Sequence, residues 1–350
     1  MESACRIFFV TLTCAAVLSA ASACAGSSAL EPSDPRPDAA SHPNPDAGSH
    51  GKDADPCADC PAEPDSGVRP KGEELSAMAT HFDGLGKPTG GCGVPEDLLG
   101  TPNFVALNVQ NTPGDYSTSL PRPIPPASAA FIGEFDNGRN CGRWIRVTIG
   151  DYCTAINDGS PGKGFCHGGA ADAWQSDEYN GATLDFLVAD SCQDGNGWCR
   201  DDRYHLDLAT SSLDRFQKAG VPVLGLRERW NNRKITWRFI EAPHEQGSIR
   251  IGFRNDAQKY WPAIVLSRLA NGIHGVESLV DGTWRKATMV GDNGQVYALP
   301  ASPPPYRIRV TDAEDKLVGG STIFEFDFPP SCGERCTAPV TEVEVRARDP

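Results

Sequence analysis

The chain has 350 residues with 32 basic and 46 acidic side chains, which gives a formal net charge of −14. After the N-terminal apolar run no second long one follows, which excludes a polytopic membrane protein, and the lack of a basic excess argues against a nucleic-acid binder. The 36 Gly and 29 Pro argue against a helical bundle, because both residues interrupt helices.

Residues 1–23 have the pattern of an export signal peptide. Arg6 is the only basic residue before an uncharged stretch from Ile7 to Ala23, and the small residues that end this stretch fit a cleavage site. Cys24 follows directly, which is where a bacterial lipoprotein carries its lipid, although Ala21 stands where Leu is usual. Lipidation of Cys24 with an outer-membrane anchor and simple cleavage are therefore both open. Either one predicts an extracellular or cell-surface protein.

Ten cysteines follow Cys24, and an even number in an exported chain indicates disulfides. The candidates are Cys57, Cys60, Cys92, Cys141, Cys153, Cys166, Cys192, Cys199, Cys332 and Cys336. Zinc is the alternative for the closely spaced pairs Cys57/Cys60 and Cys332/Cys336, but no His follows them at finger spacing. We therefore predict disulfides and no metal site or cofactor.

Residues 24–76 have the composition of a disordered tether. They contain nine Pro and no Phe, Trp, Tyr, Ile or Met. Such a segment cannot bury enough apolar surface to offset the entropy lost on ordering. Its prolines make it extended and semi-rigid.

Residues 77–229 alternate short apolar runs with Gly, Asn and Asp, which predicts strands of an all-β domain. Thr210 to Gly220 is the exception, because its start and stop signals indicate a helix. Residues 151–181 are Gly-rich, contain Cys153 and Cys166, and predict a long surface loop that a disulfide closes.

Residues 233–330 contain about eight further strands, the first from Ile235 to Ile240, separated by turns such as Asn293-Gly294. This rhythm over about 100 residues is typical of an immunoglobulin-like β-sandwich. The domain boundary is predicted at Trp230-Asn231-Asn232, and residues 331–350 are predicted to be a C-terminal tail.

Short motifs in both halves resemble the expansin family. In the first half they are Ala79-Thr80-His81-Phe82, Gly90-Gly91-Cys92-Gly93, Cys141-Gly142-Arg143-Trp144, Val188-Ala189-Asp190-Ser191-Cys192 and His205-Leu206-Asp207-Leu208-Ala209. In the second half they are Lys259-Tyr260-Trp261-Pro262-Ala263, Gly282-Thr283-Trp284 and Tyr306-Arg307-Ile308-Arg309-Val310. Each motif is short, but together they follow the family order over residues 77–330.

The resemblance implies a six-stranded double-psi β-barrel followed by a carbohydrate-binding sandwich, and cell-wall loosening without hydrolysis. In the barrel groove it assigns Thr80, Asp190 and Asp207. On the sandwich it assigns Tyr260 and Trp261 to a flat aromatic platform that binds cellulose.

The chain departs from the family pattern at three positions. Phe82 stands where relatives often have Tyr, and Cys192 stands where some bacterial relatives have Tyr. The third platform aromatic is replaced near Asp292 unless Tyr297 supplies it. This last departure affects the expected affinity for cellulose.

Asp207 is the main candidate for chemistry in the barrel. Strand alternation places Asp207 on the face opposite Leu206 and Leu208. Its side chain would then face the groove, while the two leucines point into the core. Desolvation there would raise the pKa of its carboxyl group. The alternative is that Asp207 caps the predicted helix that follows.

A hydrolase would need a second carboxylate within roughly 10 Å, and an endoglucanase family shares this barrel. Asp83, directly after Phe82, is the candidate base, with Asp207 as the acid. Asp83 can equally begin the turn Asp83-Gly84.

Two adjacent aromatics in a strand cannot both face the core, so Tyr260 and Trp261 predict an exposed stacking surface for sugar rings. The alternative is one buried and one exposed ring.

Together with the resemblance, these observations predict an insoluble polysaccharide as the partner: cellulose, β-glucan or peptidoglycan. We expect the protein to be a monomer. A glucan hydrolase on the same barrel and an inert carbohydrate-binding surface protein are the alternatives.

Overall fold

The computed structural model describes residues 69–86, 88–115, 120–193 and 197–350. The predicted signal peptide, the lipidation site Cys24, the pair Cys57/Cys60 and most of the predicted tether lie outside these residues. Within them, no helix is both long and apolar enough to cross a membrane.

The first half of the described chain forms an eight-stranded sheet and a small two-stranded one. The strands are β1 Leu75–Phe82, β2 Phe104–Asn108, β3 Trp144–Ile149, β4 Tyr152–Cys153, β5 Trp174–Gln175, β6 Thr183–Cys192, β7 Leu206–Ala209, β8 Gln217–Lys218, β9 Val221–Pro222 and β10 Lys234–Ile240. The large sheet has the order β2-β7-β1-β10-β3-β6-β8-β9, and β2 also pairs with β6. That last pairing closes a six-stranded barrel, which confirms the predicted β-barrel.

Alternation along the barrel strands produces the core. Val105 and Leu107 on β2, Leu206 and Leu208 on β7, and Trp237 on β10 are all buried in one apolar cluster. The residues between them point outward, as expected for strands whose successive side chains lie on opposite faces. The outer face of the barrel is therefore where polar side chains can act.

The second half is a sandwich of two five-stranded antiparallel sheets. The strands are β11 Arg250–Arg254, β12 Ala263–Ser267, β13 Gly275–Val280, β14 Thr283–Lys286, β15 Thr288–Met289, β16 Val296–Ala298, β17 Tyr306–Thr311, β18 Ile323–Phe326, β19 Val340–Glu342 and β20 Arg346–Arg348. The sheets are β15-β16-β12-β11-β19 and β14-β13-β17-β18-β20. Phe253 of one sheet packs against Tyr306 and Phe326 of the other, with ring centroids 5.8 and 5.9 Å away. The predicted sandwich is confirmed.

Helical structure is sparse in the described residues. It consists of α1 Gly197–Asp201 and the short 3₁₀ helices Glu96–Leu98, Pro126–Phe131, Asp136–Gly138, Thr210–Arg215, Arg227–Arg229 and Pro330–Cys332.

The helix predicted over Thr210 to Gly220 is wrong beyond its first turns. The 3₁₀ helix ends at Arg215, and the chain continues into the hairpin of β8 and β9. Ala219 and Gly220 form the two-residue hairpin loop with φ of +52° and +80°. Positive φ at both loop residues is the geometry of a tight hairpin turn, so Gly220 serves the hairpin rather than a helix end.

The strand Lys234–Ile240 belongs to the barrel and not to the second domain, contrary to the predicted boundary. It pairs with β1 and β3 and buries Ile235, Trp237 and Phe239 in the barrel core. Strand alternation is the same in either domain, so the pattern could not reveal which sheet this strand joins. The connection between the domains lies between Ile240 and Arg250.

Both ends of the predicted folded region extend further than expected. Arg69, within the predicted tether, donates hydrogen bonds to both carboxyl oxygens of Glu134 at 2.9 Å, and Leu75 already begins β1. The predicted C-terminal tail contributes Val340–Glu342 to one sheet of the sandwich and Arg346–Arg348 to the other. The last residues therefore complete the sandwich.

The described residues of barrel and sandwich belong to one compact unit, and the two domains share an apolar interface. Phe104, Leu187 and Ala209 of the barrel pack in the same buried cluster as Val265 and Val296 of the sandwich. Removal of this surface from water holds the two domains together.

Four disulfides connect the described cysteines, as predicted. The pairs are Cys92–Cys141, Cys153–Cys166, Cys192–Cys199 and Cys332–Cys336. The pair Cys153–Cys166 closes the Gly-rich loop, and the disulfide Cys332–Cys336 removes the zinc alternative for that pair.

Candidate functional site

Thr80 and Asp207 meet on the outer face of the barrel. Parallel pairing of β1 and β7 sets the two residues opposite each other. The Thr80 hydroxyl donates a hydrogen bond of 2.8 Å to Oδ1 of Asp207. Asp207 therefore faces away from the core leucines, as alternation predicts. It does not cap the 3₁₀ helix that follows, because the N-cap position is Ala209 and no side chain caps it.

His205 lies behind this pair and completes a three-residue chain. Its side chain is fully buried, and its Nε2 lies 2.8 Å from the Thr80 oxygen. Because Thr80 gives its one proton to Asp207, the contact requires that His205 donate from Nε2. Burial lowers the pKa of His205 to about 3, so the ring is neutral. The role of His205 in orienting Thr80 was not predicted from the sequence.

Asp190 lies two strands from Asp207 on the same face. Ala106 of β2 is paired with Asp207 on one side and with Asp190 on the other. Two strand spacings separate the two aspartate backbones by about 10 Å. The outer surface of β1, β7, β2 and β6 that bears Thr80, Asp207, Ala106 and Asp190 is called the carboxyl face below.

Burial changes the acidity of both aspartates. It raises the pKa of Asp207 to about 6, with a further rise from the negative charge of Asp190 and an opposing effect of the Thr80 hydrogen bond. Burial also raises the pKa of Asp190. The backbone N–H groups of Gly91 and Ser191 donate to its Oδ1 at 2.6 and 2.9 Å, and these two hydrogen bonds oppose the rise. Asp207 is therefore half protonated near pH 6 and can donate as well as accept a hydrogen bond.

Asp83 does not lie beside Asp207 in the structure. It is exposed and follows the last residue of β1, in the bend that Gly84 continues. Asp207 is paired with Thr80, three residues earlier, so the two carboxylates are offset by roughly 10 Å along the strand direction. This position fits a turn at Asp83-Gly84 better than a role for Asp83 as a catalytic base.

Arg122 is a residue that the sequence analysis missed. Its Nε donates to Asp292 of the sandwich at 2.6 Å, and its Nη2 donates to the hydroxyl of Ser191 at 3.1 Å. Arg122 thereby links the end of the carboxyl face beside Asp190 to the second domain. No local pattern reveals this contact, because Arg122 and Asp292 are 170 positions apart.

The disulfide at Cys192 forms part of the carboxyl face. The Cys192 sulfur lies 4.0 Å from Oδ2 of Asp207. Cys192, Cys199 and Ala106 form a small apolar cluster against which Phe82 packs. The Cys192 sulfur and Phe82 thus give this part of the carboxyl face an apolar surface.

Tyr260 and Trp261 are both exposed, which rules out one buried and one exposed ring. Their side chains are 72% and 39% accessible. They lie in a tight turn that ends in a backbone bridge between Gln258 and Trp261, just before β12. Tyr306 donates to the Lys259 carbonyl at 3.1 Å and anchors this turn to the sandwich.

The third platform position has no exposed aromatic. Tyr297 is only 3% accessible and is packed in the core of the sandwich, so the assignment of this residue to the platform is wrong. Alternation along β16 points its ring inward. Asp292 is buried as well and is held by Arg122.

Two solved structures are similar to this chain. An expansin of Clavibacter michiganensis in its apo form is 17% identical, with a TM-score of 0.46, over 79% of this chain and 96% of the expansin. A mutant of a Clavibacter michiganensis expansin in complex with cellohexaose is 15% identical, with a TM-score of 0.45 and the same coverage. Neither a protein-family profile nor a curated protein sequence matches the chain.

Proposed function

We propose that the chain is an exported, expansin-like protein that binds β-glucan and loosens cell-wall networks without hydrolysis. The observation that carries this proposal is the chain of hydrogen bonds His205–Thr80–Asp207 on the outer face of a closed barrel. It holds one carboxyl group in a fixed orientation toward a ligand. The exposed pair Tyr260 and Trp261 provides a second contact surface on the sandwich.

Asp207 grips the sugar in this proposal rather than cleaving it. A carboxyl group with a pKa of about 6 can donate a hydrogen bond to one sugar hydroxyl and accept from another. Competition with the hydrogen bonds between glucan chains would separate those chains. No covalent bond is broken, so the second carboxylate that hydrolysis requires is not needed.

The aromatic pair supplies affinity. Sugar rings present C–H faces that stack on flat aromatic side chains, and a contiguous exposed apolar patch on a protein surface often marks a binding site. Tyr260 and Trp261 have this character. Insoluble polysaccharide is therefore the proposed partner of a monomeric protein.

Export is proposed from the cysteines. Four disulfides are typical of proteins that fold in an oxidising compartment. The N-terminal pattern adds a route across the membrane, and lipidation of Cys24 would keep the protein at the cell surface.

The hydrolase alternative now requires a different base. With Asp83 offset from Asp207, the carboxylate that shares the outer face with Asp207 is Asp190. An inverting enzyme separates its carboxyl groups by roughly 6.5–9.5 Å, which two strand spacings can approach. Asp190 therefore belongs in every test for hydrolysis.

Two measurements on the full exported protein decide among the three functions. Heat-killed cell-wall strips under constant load should extend when the protein is added, and amorphous cellulose and mixed-linkage glucan should release no soluble sugar overnight. Sugar release that disappears in Asp190→Asn and Asp207→Asn would establish the hydrolase. Binding without extension of the strips would leave an inert carbohydrate-binding protein.

A further inference from the structure

A pocket of about 530 Å³ lies on the barrel wall, outside the carboxyl face. Its floor is the outer surface of β3 and β6, and its sides are the β8–β9 hairpin loop and the segment around His244 that connects the domains. The volume is within the range of roughly 300–1,000 Å³ that is typical of sites for small molecules.

The pocket is separate from the carboxyl face. Asp185 lines the pocket near the start of β6, and Asp190 lies five residues further along the same strand, roughly 17 Å away. Between them, Leu187 and Ala189 are covered by the apolar interface with the sandwich. A ligand in the pocket therefore does not occupy the carboxyl face.

The pocket carries balanced charge. Arg146 and Asp185 face each other across β3 and β6 and form two parallel hydrogen bonds, Nε to Oδ1 at 2.7 Å and Nη2 to Oδ2 at 2.8 Å. The remaining lining residues are uncharged apart from the imidazole of His244. A charged ligand would find no uncompensated partner here, so the lining favours an uncharged ligand.

Polar side chains without charge also line the pocket. Thr101 and Thr183 supply hydroxyl groups, and Gln217 supplies an amide. Each of these groups can both donate and accept a hydrogen bond, and a hydroxyl group of a ligand can do the same.

Apolar side chains complete the lining. Ala219 and Pro243 lie beside the polar groups. A sugar ring presents this same combination, with hydroxyl groups at its edge and C–H groups on its faces. We propose that this pocket is a second saccharide site, which binds one or two rings of an uncharged sugar, such as a chain end or a side branch. This inference goes beyond the proposed function and does not depend on it.

The test uses the full exported protein with Tyr260→Ala, Trp261→Ala and Asp207→Asn, so that neither other surface contributes. Calorimetric titration with cellobiose, xylobiose and mannobiose should show saturable binding of at least one sugar. Removal of the ion pair by Arg146→Ala with Asp185→Ala should weaken that binding about tenfold or more. Replacing both residues avoids an unpaired charge.

The matched control is Arg250→Ala with Glu342→Ala, which removes a paired arginine and glutamate from strands β11 and β19 of the sandwich. It should leave sugar binding unchanged. If the Arg146/Asp185 variant melts early, Thr183→Trp replaces it, since an outward-facing strand position tolerates Trp and the larger ring fills the pocket.

Three outcomes would overturn the proposal. They are no binding of any of the three disaccharides, binding that survives both pocket variants, and tighter binding of an acidic sugar such as trigalacturonate. None of these outcomes bears on wall loosening, because the carboxyl face and the aromatic pair are already disabled in the protein that is titrated.

Discussion

Thr80 and Asp207 are joined by a hydrogen bond of 2.8 Å between two parallel strands that lie 127 positions apart in the chain. This bond, with His205 behind it, orients the carboxyl group of Asp207 on the outer face of the barrel. A fixed carboxyl group can recognise sugar hydroxyls without losing side-chain entropy on binding.

Asp207→Asn should abolish most wall loosening while binding to cellulose is retained. The amide keeps the size of the side chain and one acceptor, but its nitrogen only donates, so it cannot accept from a sugar hydroxyl at the second position as the ionised carboxylate does. Strip extension and cellulose pull-down are the measurements. Asp97→Asn, an exposed change outside the carboxyl face, is the control. Full strip extension by a folded Asp207→Asn protein would contradict the proposed role.

The same substitution should change how stability depends on pH. Because the folded pKa of Asp207 is raised to about 6, the folded state takes up its proton more readily than the unfolded state. Wild type should therefore gain stability relative to Asp207→Asn as the pH falls through 6 toward the unfolded pKa near 4, by about 2 kcal/mol. At neutral pH that gain is absent.

Urea unfolding of both proteins at several pH values between about 4 and 7 measures this difference. Differences that stay constant across this range, or that favour wild type more at neutral pH, would mean that Asp207 is not desolvated in the folded protein.

Tyr260→Ala with Trp261→Ala should remove most binding to insoluble cellulose without unfolding the protein. Both rings are exposed, so truncation leaves no core cavity. Stacking of a ring on an aromatic is worth about 1–3 kcal/mol, and loss of two such contacts would lower affinity by at least tenfold. Tyr297→Phe is the matched aromatic control, because that ring is buried. An unchanged binding isotherm for the folded double variant would refute the platform.

Arg122→Ala should destabilise the protein more than the double variant Arg122→Ala/Asp292→Ala. Removal of Arg122 alone leaves the carboxylate of Asp292, which is buried, without its cation. Such an unpaired charge costs about 3 kcal/mol or more, whereas removal of both groups costs less. Denaturant unfolding of the two single variants and the double variant measures the coupling. Strictly additive effects would show that the contact does not link the two domains energetically.

Local patterns in the sequence were sufficient for several features. The alternation Leu206-Asp207-Leu208 predicted which side chain leaves the core, because side-chain direction depends only on strand periodicity. The adjacency of Tyr260 and Trp261 predicted an exposed pair, although a turn before β12 and not a strand presents the two rings. The even count of cysteines predicted disulfides, and the four described pairs bear this out.

Other features depended on contacts between residues that are far apart in the chain. Whether the strand Lys234–Ile240 joins the barrel or the sandwich is decided by its backbone partners in β1 and β3, which leave no mark on its own alternation. The pairing of Arg122 with Asp292 arises only when the two domains pack, and Tyr297 is buried only when the two sheets of the sandwich pack. Sequence periodicity therefore determined the direction of side chains within a strand, and tertiary structure decided the neighbours that each strand and side chain met.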